Sequence, residues 1–189
     1  TYRQPFASQG NDYGKVAHCN DISCSSATIT VLDTIYNGFW NDLIIGADGL
    51  PLIVYARSSS LSGPMGVVAY HCGNVSCTSG NTITVVEPIL GHTISLRRGS
   101  DNLPIFTYVY STGGLTTGVK VVHCGDRVCS TGNTIQNLSL TGAQPSLAIS
   151  SDGKPIISYY DDTTKDLMVL KCLDLTCTTT ATPTLVEGS

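Results

Sequence analysis

A pair of cysteines separated by four residues occurs four times in the sequence, and these pairs account for all eight cysteines. The pairs stand in the segments VAHCNDISC, AYHCGNVSC, VVHCGDRVC and VLKCLDLTC, at residues 16–24, 69–77, 121–129 and 169–177. Their first members lie 53, 52 and 48 residues apart along the chain. Spacing this regular indicates an internal repeat. The fold must therefore accommodate four copies of one unit of about fifty residues.

Each repeat contains the sequence signals of four short β-strands and no helical pattern. A β-branched run follows the second cysteine in TITVLD (28–33), TITVVE (82–87), TIQNLSL (134–140) and, more loosely, PTLVEG (183–188). Hairpin patterns then follow in LIIGADGLPLIVYA (43–56), ISLRRGSDNLPIFTYV (94–109) and LAISSDGKPIISYY (147–160). An Asp-Gly or Asp-Asn pair between alternating apolar runs predicts a tight hairpin. The proline that follows is tolerated at the start of the next strand, where its missing N–H costs little.

Four-stranded antiparallel units that repeat every forty to fifty residues are typical of β-propeller blades. We therefore predict an all-β fold, a four-bladed β-propeller in a single domain over residues 1–189, with approximate repeats 1–40, 41–91, 92–142 and 143–189. The repeats align with fifteen strands rather than sixteen, because Thr1-Tyr2 corresponds to Thr107-Tyr108 in the second strand of a blade. Glu187 corresponds to Glu87 at the end of a fourth strand. The first blade is thus expected to lack its first strand.

The segment DGKPIISYYDDTTKDLMVLKC resembles the tandem repeats of secreted bacterial β-propeller proteins. Those repeats read roughly Asp-Gly-x-Pro-x-Ile-Ser-Tyr-Tyr-Asp, followed by a Lys-Val-Ala-His-Cys strand. The likeness extends over essentially the whole chain and is clearest at residues 145–177. The turn SSDGKP is also similar to the Asp-box of sialidase-like propellers, without the aromatic end of that motif. The resemblance implies a propeller fold and export, but little about activity, because propellers carry many unrelated functions.

The cysteine pairs favour four local disulfides, since their number is even and their spacing regular in a chain that resembles exported proteins. They would join Cys19 to Cys24, Cys72 to Cys77, Cys124 to Cys129, and Cys172 to Cys177. A zinc site is a less favoured alternative. Neighbouring residues of a strand, such as His18 and Cys19, point to opposite faces, and Lys171 replaces the histidine in the fourth repeat. A thioredoxin-like redox pair would have two residues between its cysteines.

Composition and motif content argue against several functions. Only 13% of the residues are charged and the net charge is −4, so no basic surface is expected to bind nucleic acid. The apolar runs are too short to span a bilayer, which predicts no membrane insertion. Glutamate occurs only at Glu87 and Glu187, and the five arginines form no cluster of the kind that sialidase-like enzymes use. We therefore predict no catalytic residues, metal or cofactor, and a sialidase-like glycoside hydrolase is the least favoured function.

Polar residues that recur with the repeat have structural interpretations. Histidines at one repeat position are expected to pack or to cap loops; these are His18, His71 and His123. Turn aspartates are expected to hydrogen-bond the backbone; these are Asp48, Asp101 and Asp152. Tyrosines fall on the second strand of each blade, where some enter the core and others form a surface that could stack on a ligand; these are Tyr55, Tyr108, Tyr110, Tyr159 and Tyr160.

Two functions follow from these features. A ring that lacks one strand exposes a sheet edge, which an extended segment of another copy could complete. Head-to-tail completion that does not close produces a filament or tube. We therefore predict a non-catalytic structural protein, secreted to the extracellular space or cell surface, that assembles with itself. The alternative is a secreted module that binds glycans or peptides through its tyrosines and its variable loops at 58–66 and 111–118.

Overall fold

A computed structural model describes residues 2–3, 14–32, 37–57, 66–112, 115–138, 140 and 142–187. These residues form fifteen β-strands arranged in four antiparallel sheets. Sheet 1 contains the strands β1 (Tyr2–Arg3), β2 (Gly14–Cys19) and β3 (Ala27–Val31), side by side in chain order. Within the described ranges there is no helix of the length and apolar character that crossing a membrane requires.

The other three sheets have four strands each, again in chain order. Sheet 2 consists of β4 (Asn37–Ile45), β5 (Pro51–Arg57), β6 (Gly66–His71) and β7 (Thr82–Glu87). Sheet 3 consists of β8 (Leu90–Arg98), β9 (Pro104–Thr112), β10 (Leu115–His123) and β11 (Thr134–Asn137). Sheet 4 consists of β12 (Gly142–Ile149), β13 (Pro155–Asp161), β14 (Leu167–Lys171) and β15 (Thr184–Glu187). The all-β class is confirmed, and in the described residues the first repeat has one strand fewer than the others.

The β4–β5 turn shows why the Asp-Gly pairs form hairpins. The N–H of Gly46 donates to the carbonyl of Leu50 at 2.8 Å, which closes the turn. Gly49 has a φ of 79°, a left-handed conformation that glycine adopts without steric cost. Asp48 Oδ1 accepts the N–H of Leu50 at 3.1 Å. Asn102 and Gly153 have positive φ at the equivalent positions of the β8–β9 and β12–β13 turns.

Successive sheets pack face to face. We call the face directed at the preceding sheet the front face and the face directed at the following sheet the back face. On β5, Ile53 and Tyr55 pack toward sheet 1, whereas Leu52 and Val54 pack toward sheet 3. The alternation of side chains along a strand thus supplies two apolar faces from one continuous apolar segment.

The middle strands of the two inner sheets are buried on both faces, and β13 of the outer sheet 4 on one. Every residue of β5 and β6 is buried. In β13 the buried residues alternate with more exposed ones, because only its front face is covered. Among the described residues, no strand of sheet 1 contacts a strand of sheet 4. In the described residues, the four sheets therefore form an open row, and no other described sheet covers the front face of sheet 1 or the back face of sheet 4.

Candidate functional site

All four predicted disulfides are present, each in the loop that precedes the last strand of its repeat. The second cysteine of every pair has a left-handed backbone, with φ between 53° at Cys24 and 57° at Cys77. Residues with a side chain seldom adopt this conformation. The covalent bond and the hydrogen bonds of the loop together hold the backbone in this conformation.

An aspartate or asparagine two residues after the first cysteine organises each loop. In the third repeat, Asp126 Oδ1 accepts the N–H groups of Val128 and Ser130, both at 2.9 Å. Asp126 Oδ2 accepts the N–H of Thr131 at 2.9 Å. Burial alone would raise the pKa of Asp126, but hydrogen bonds from Ser130 and Thr131 outweigh it and hold the pKa far below its usual range. The carboxylate therefore acts as an ionised cap for the loop.

The disulfides differ in their exposure because they lie on the front faces. The three in sheets 2, 3 and 4 are covered by the preceding sheet, and none of their cysteines is more than 2% exposed. Cys19 and Cys24 lie on the front face of sheet 1 and are exposed. The disulfide is thus buried between two sheets in three of the repeats and exposed to solvent in the first.

In sheets 2 and 3 the repeated histidine pairs with the aspartate of the hairpin turn in its own sheet. His71 Nε2 lies 2.9 Å from Asp48 Oδ2, and His123 Nε2 lies 2.8 Å from Asp101 Oδ2. In sheet 4, Lys171 Nζ makes the same contact with Asp152 at 2.8 Å. Sequence reasoning placed these residues in their repeats but did not pair them. The sequence contained one signal for this pairing. Lysine replaces histidine in the fourth repeat, and both side chains can donate a hydrogen bond to the turn aspartate.

A shallow cleft lies between the hairpin turns of sheets 2 and 3 and has a volume of about 470 Å³. Its polar side chains are Asp48, Asp101, Asp126 and Arg127, together with Asn102. Arg127 Nη1 lies 3.8 Å from Asp48 Oδ2, and the Arg127 side chain is 66% exposed. Burial raises the pKa of Asp48, but bonds from the Leu50 N–H and from His71 outweigh it and lower the pKa. Among the described residues, no three His, Cys, Asp or Glu side chains are close enough together to hold a metal ion.

The predicted tyrosines do not share one surface. Those in the packed layers between sheets are Tyr55, Tyr108, Tyr110 and Tyr159, all at most 9% exposed. Tyr160 is 39% exposed and lies on the back face of sheet 4. Burial on both faces of the inner sheets explains the difference, since alternation leaves no exposed side on β5 or β9. Of these five tyrosines, only Tyr160 can contact a partner without separation of the sheets.

The uncovered faces of the two outer sheets form the candidate functional site. On the back face of sheet 4, Ile156, Tyr160 and Leu167 occupy positions that in sheet 2 hold Leu52, Ala56 and Val67. Those sheet 2 residues are at most 3% exposed, whereas Tyr160 and Leu167 are 39% and 41% exposed. On the front face of sheet 1, Cys19 and Cys24 are exposed, whereas the equivalent cysteines of sheets 2, 3 and 4 are at most 2% exposed. Each end of the row therefore presents the kind of surface that the inner sheets bury.

Comparisons with known proteins add a fold relationship. No family model matches the chain, and no curated protein is significantly similar to it in sequence. Its structure is similar to a crystal structure of a protein of unknown function from Dyadobacter fermentans DSM 18053. The TM-score is 0.61 at 13% sequence identity over 82% of this chain. The match covers 43% of the Dyadobacter chain, so the present chain spans less than half of its length. At this identity the likeness concerns the fold alone.

Proposed function

We propose that the chain is a non-catalytic, secreted structural protein built from β-propeller blades, and that copies assemble through completion of the open edge and faces of the row. The observation that carries this proposal is the pair of uncovered faces at the ends of sheets 1 and 4. Apolar sheet faces of this kind are buried at every boundary inside the chain. Assembly into a filament, tube or ring would bury the faces at the ends as well.

The arrangement of first strands supports the propeller interpretation. The first strands of the three four-stranded sheets, β4, β8 and β12, lie next to one another. Asp42 Oδ2 on β4 accepts the N–H of Leu96 on β8 at 2.8 Å, and Ser95 Oγ accepts the N–H of Leu147 on β12 at 3.1 Å. In a propeller the first strand of each blade lines the central axis. The row is therefore interpreted as an arc of blades around such an axis.

Strand complementation would act at sheet 1. β1 is an edge strand there, since sheet 1 has no counterpart of β4 in the described residues. Ser146 occupies in sheet 4 the position that Asp42 and Ser95 occupy in sheets 2 and 3. The equivalent strand pairs are Asp42 with Val54, Ser95 with Thr107, and Ser146 with Ser158. Ser146 is exposed. A strand supplied by another copy would pair with β1 and offer a backbone N–H to Ser146.

The state of the carboxylates supports a non-catalytic role. A glycoside hydrolase needs one carboxylic acid that stays protonated near neutral pH, and therefore a raised pKa. In the cleft, the pKa values of Asp48 and Asp126 are lowered by the hydrogen bonds that fix their loops. These groups hold backbone in place and do not exchange protons near neutral pH.

Secretion is supported by the four disulfides, which persist in oxidising compartments and are rare in reducing ones. A surface with few charges and exposed apolar faces also suits a protein that associates with itself.

Electron microscopy and light scattering of the oxidised protein over a range of concentrations test the proposal. We expect mass to increase with concentration and regular filaments, tubes or rings to appear. A monomer of 19.9 kDa at every concentration would overturn the proposal.

The cleft between the turns of sheets 2 and 3 favours glycan binding as the second candidate, because an exposed arginine there adjoins several carboxylates. Titration with neutral and acidic oligosaccharides, compared between the protein and its Arg127→Ala variant, tests this function. Binding that is lost in the variant would support it. A signal that is unchanged in the variant would place binding elsewhere, and absence of any signal would argue against glycan binding.

A further inference from the structure

We propose that Trp40, Thr93 and Gln144 form a binding site for a neutral saccharide on the first strands of sheets 2, 3 and 4. His92 lies beside Trp40 and belongs to the same site. The hairpin turns that border the cleft follow the last residues of β4 and β8, so this site lies at the other end of these strands. The inference goes beyond the proposed self-assembly and does not depend on it.

Each of the three first strands contains a β-bulge at the same place. In sheet 3, β8 advances three residues between His92 and Ser95 while β9 advances two. Sheet 4 has the same irregularity in β12, and in sheet 2 Trp40 is the extra residue between Phe39 and Asn41. A bulge redirects a side chain and is a designed feature of a strand rather than a defect.

The bulged residue has a left-handed backbone in all three strands. Its φ is 45° at Trp40, 52° at Thr93 and 55° at Gln144. None of the three is a glycine, an asparagine or an aspartate, the types that adopt this conformation at the lowest cost. Strained residues of this kind cluster at ligand sites, where the surrounding structure holds them. The protein thus accepts a cost in folding to present three different side chains from equivalent positions.

The three bulges lie side by side. The ring centroids of Trp40 and His92 are 5.4 Å apart with an angle of 49° between the planes, so the bulge of sheet 2 reaches that of sheet 3. Close to the bulge of β12, the N–H of Leu147 donates to Ser95 Oγ on β8 at 3.1 Å. The bulged residues therefore form one continuous surface across three sheets.

This surface combines an aromatic plane with polar side chains. Trp40 is 49% exposed, Gln144 is exposed, and Thr93 and His92 are partly exposed. His92 Nδ1 lies 3.2 Å from Thr93 Oγ1, which holds these two groups together. An exposed indole offers a flat apolar surface on which the C–H face of a pyranose ring can stack. Polar groups at its edge would then orient the sugar through its hydroxyls.

The polar side chains of the site carry no charge near neutral pH. Thr93 and Gln144 do not ionise, and burial lowers the pKa of His92 below its ordinary value, so that its imidazole is neutral. A hydroxyl, an amide and a neutral imidazole each both donate and accept hydrogen bonds. Sugar hydroxyls need both kinds of partner, whereas an acidic ligand needs a positive charge. The chemistry therefore favours a neutral saccharide.

The fluorescence of Trp40 reports binding directly, because it is the single tryptophan of the chain. We expect at least one of cellohexaose, maltohexaose and chitohexaose, added at constant protein concentration, to shift the emission to shorter wavelength as stacking removes water from the indole. Light scattering at each point separates this shift from association of the protein.

Isothermal titration calorimetry compares the variants. Trp40→Ala should weaken binding of the same saccharide by about tenfold or more. Ile45→Ala is the matched control, because Ile45 is 53% exposed at the other end of β4, and it should bind as the unchanged protein does.

Glycine variants separate binding from backbone strain. Because glycine adopts a left-handed backbone without steric cost, Thr93→Gly and Gln144→Gly should melt at the same or a higher temperature. Each should nevertheless bind the saccharide about threefold or more weakly, since it loses a polar contact. A higher melting temperature with unchanged binding in both variants would show that the bulges are structural only and would overturn the site.

The remaining outcomes are equally decisive. Neither a spectral shift nor heat with any of the three saccharides would overturn the proposal. Binding that persists in Trp40→Ala but is lost in Arg127→Ala would place the ligand in the cleft and overturn the site at the bulges. Self-assembly would stand in every case, because electron microscopy of the protein without saccharide tests it separately.

Discussion

His123 Nε2 lies 2.8 Å from Asp101 Oδ2, which ties the end of β10 to the β8–β9 turn of the same sheet. The same carboxylate accepts the N–H of Leu103 through its other oxygen at 3.1 Å. Asp101 therefore joins the turn backbone to a neighbouring strand. The equivalent contacts in sheets 2 and 4 show that this is a standard element of the four-stranded repeat.

Replacement of His123 by alanine should lower the free energy of unfolding by about 1–2 kcal/mol, because Asp101 loses a buried hydrogen-bond donor. His123→Lys should cost less, since Lys171 makes the equivalent contact in sheet 4. Urea denaturation of both variants measures the difference. Equal destabilisation by lysine and alanine would show that ring packing, and not the bond to Asp101, stabilises the turn.

Stability should fall in acid. The folded-state pKa values of Asp48, Asp126 and Asp174 are lowered from the ordinary 3.8. A carboxyl whose pKa is lower in the folded state contributes stability above its unfolded pKa and loses it as the pH falls toward the folded value. The free energy of unfolding should therefore be nearly constant from pH 6 to 5 and decline below about pH 4.

Asp126→Asn isolates one part of this acid effect. The amide oxygen can still accept hydrogen bonds, as Asn74 does at the equivalent position in the second repeat, where it accepts the N–H of Thr78 at 3.0 Å. The variant should show a shallower decline of the unfolding free energy below pH 4. An identical pH profile would mean that Asp126 does not contribute to the acid transition.

Mild reduction of dissociated protein should open Cys19–Cys24 before the other three disulfides, because only this pair lies on an uncovered face. Mass spectrometry after alkylation should find two labels, on Cys19 and Cys24, while the remaining six cysteines react only under unfolding conditions. Even labelling of all four pairs under native conditions would contradict the packing of the disulfides between sheets.

Glu87→Ala should lower the free energy of unfolding by about 2–4 kcal/mol, because it leaves Lys120 without its partner at a largely buried boundary. Tyr108→Phe removes only the hydroxyl that bonds to Glu87 and should cost about 1 kcal/mol. Chemical denaturation measures both values. A loss for Glu87→Ala no larger than that for Tyr108→Phe would show that the ion pair adds little to the boundary.

Local features of the sequence predicted the strands and disulfides well. An Asp-Gly turn fixes a hairpin within a few residues, and the cysteines of each pair are five positions apart, so neighbouring residues determine both. In the described residues sheet 1 has three strands, and this could be predicted because Tyr2 aligns with a second-strand position and β1 pairs with β2 in that role.

Contacts between residues that are far apart in the sequence could not be predicted from these local features. Asp101 and His123 are 22 positions apart, and Glu87 and Lys120 are 33 apart in different sheets. The tyrosines show the same limit. Alternation separates Tyr159 from Tyr160, but only the presence or absence of a following sheet determines whether the second face is covered. Val109, at the place of Tyr160 in sheet 3, is fully buried for this reason.

The boundaries between neighbouring sheets are not interchangeable, which limits how the repeats can be duplicated in the gene. Glu87 bonds to Lys120 between sheets 2 and 3, whereas Leu32 packs with Val68 between sheets 1 and 2, and Leu140 packs with Tyr159 between sheets 3 and 4. A second copy of sheet 2 alone would set the Glu87 carboxylate against the apolar Val68, whereas a second copy of sheets 2 and 3 together would set Leu140 against Val68. Unequal recombination in such a gene should therefore leave lineages that differ by two repeats, about one hundred codons.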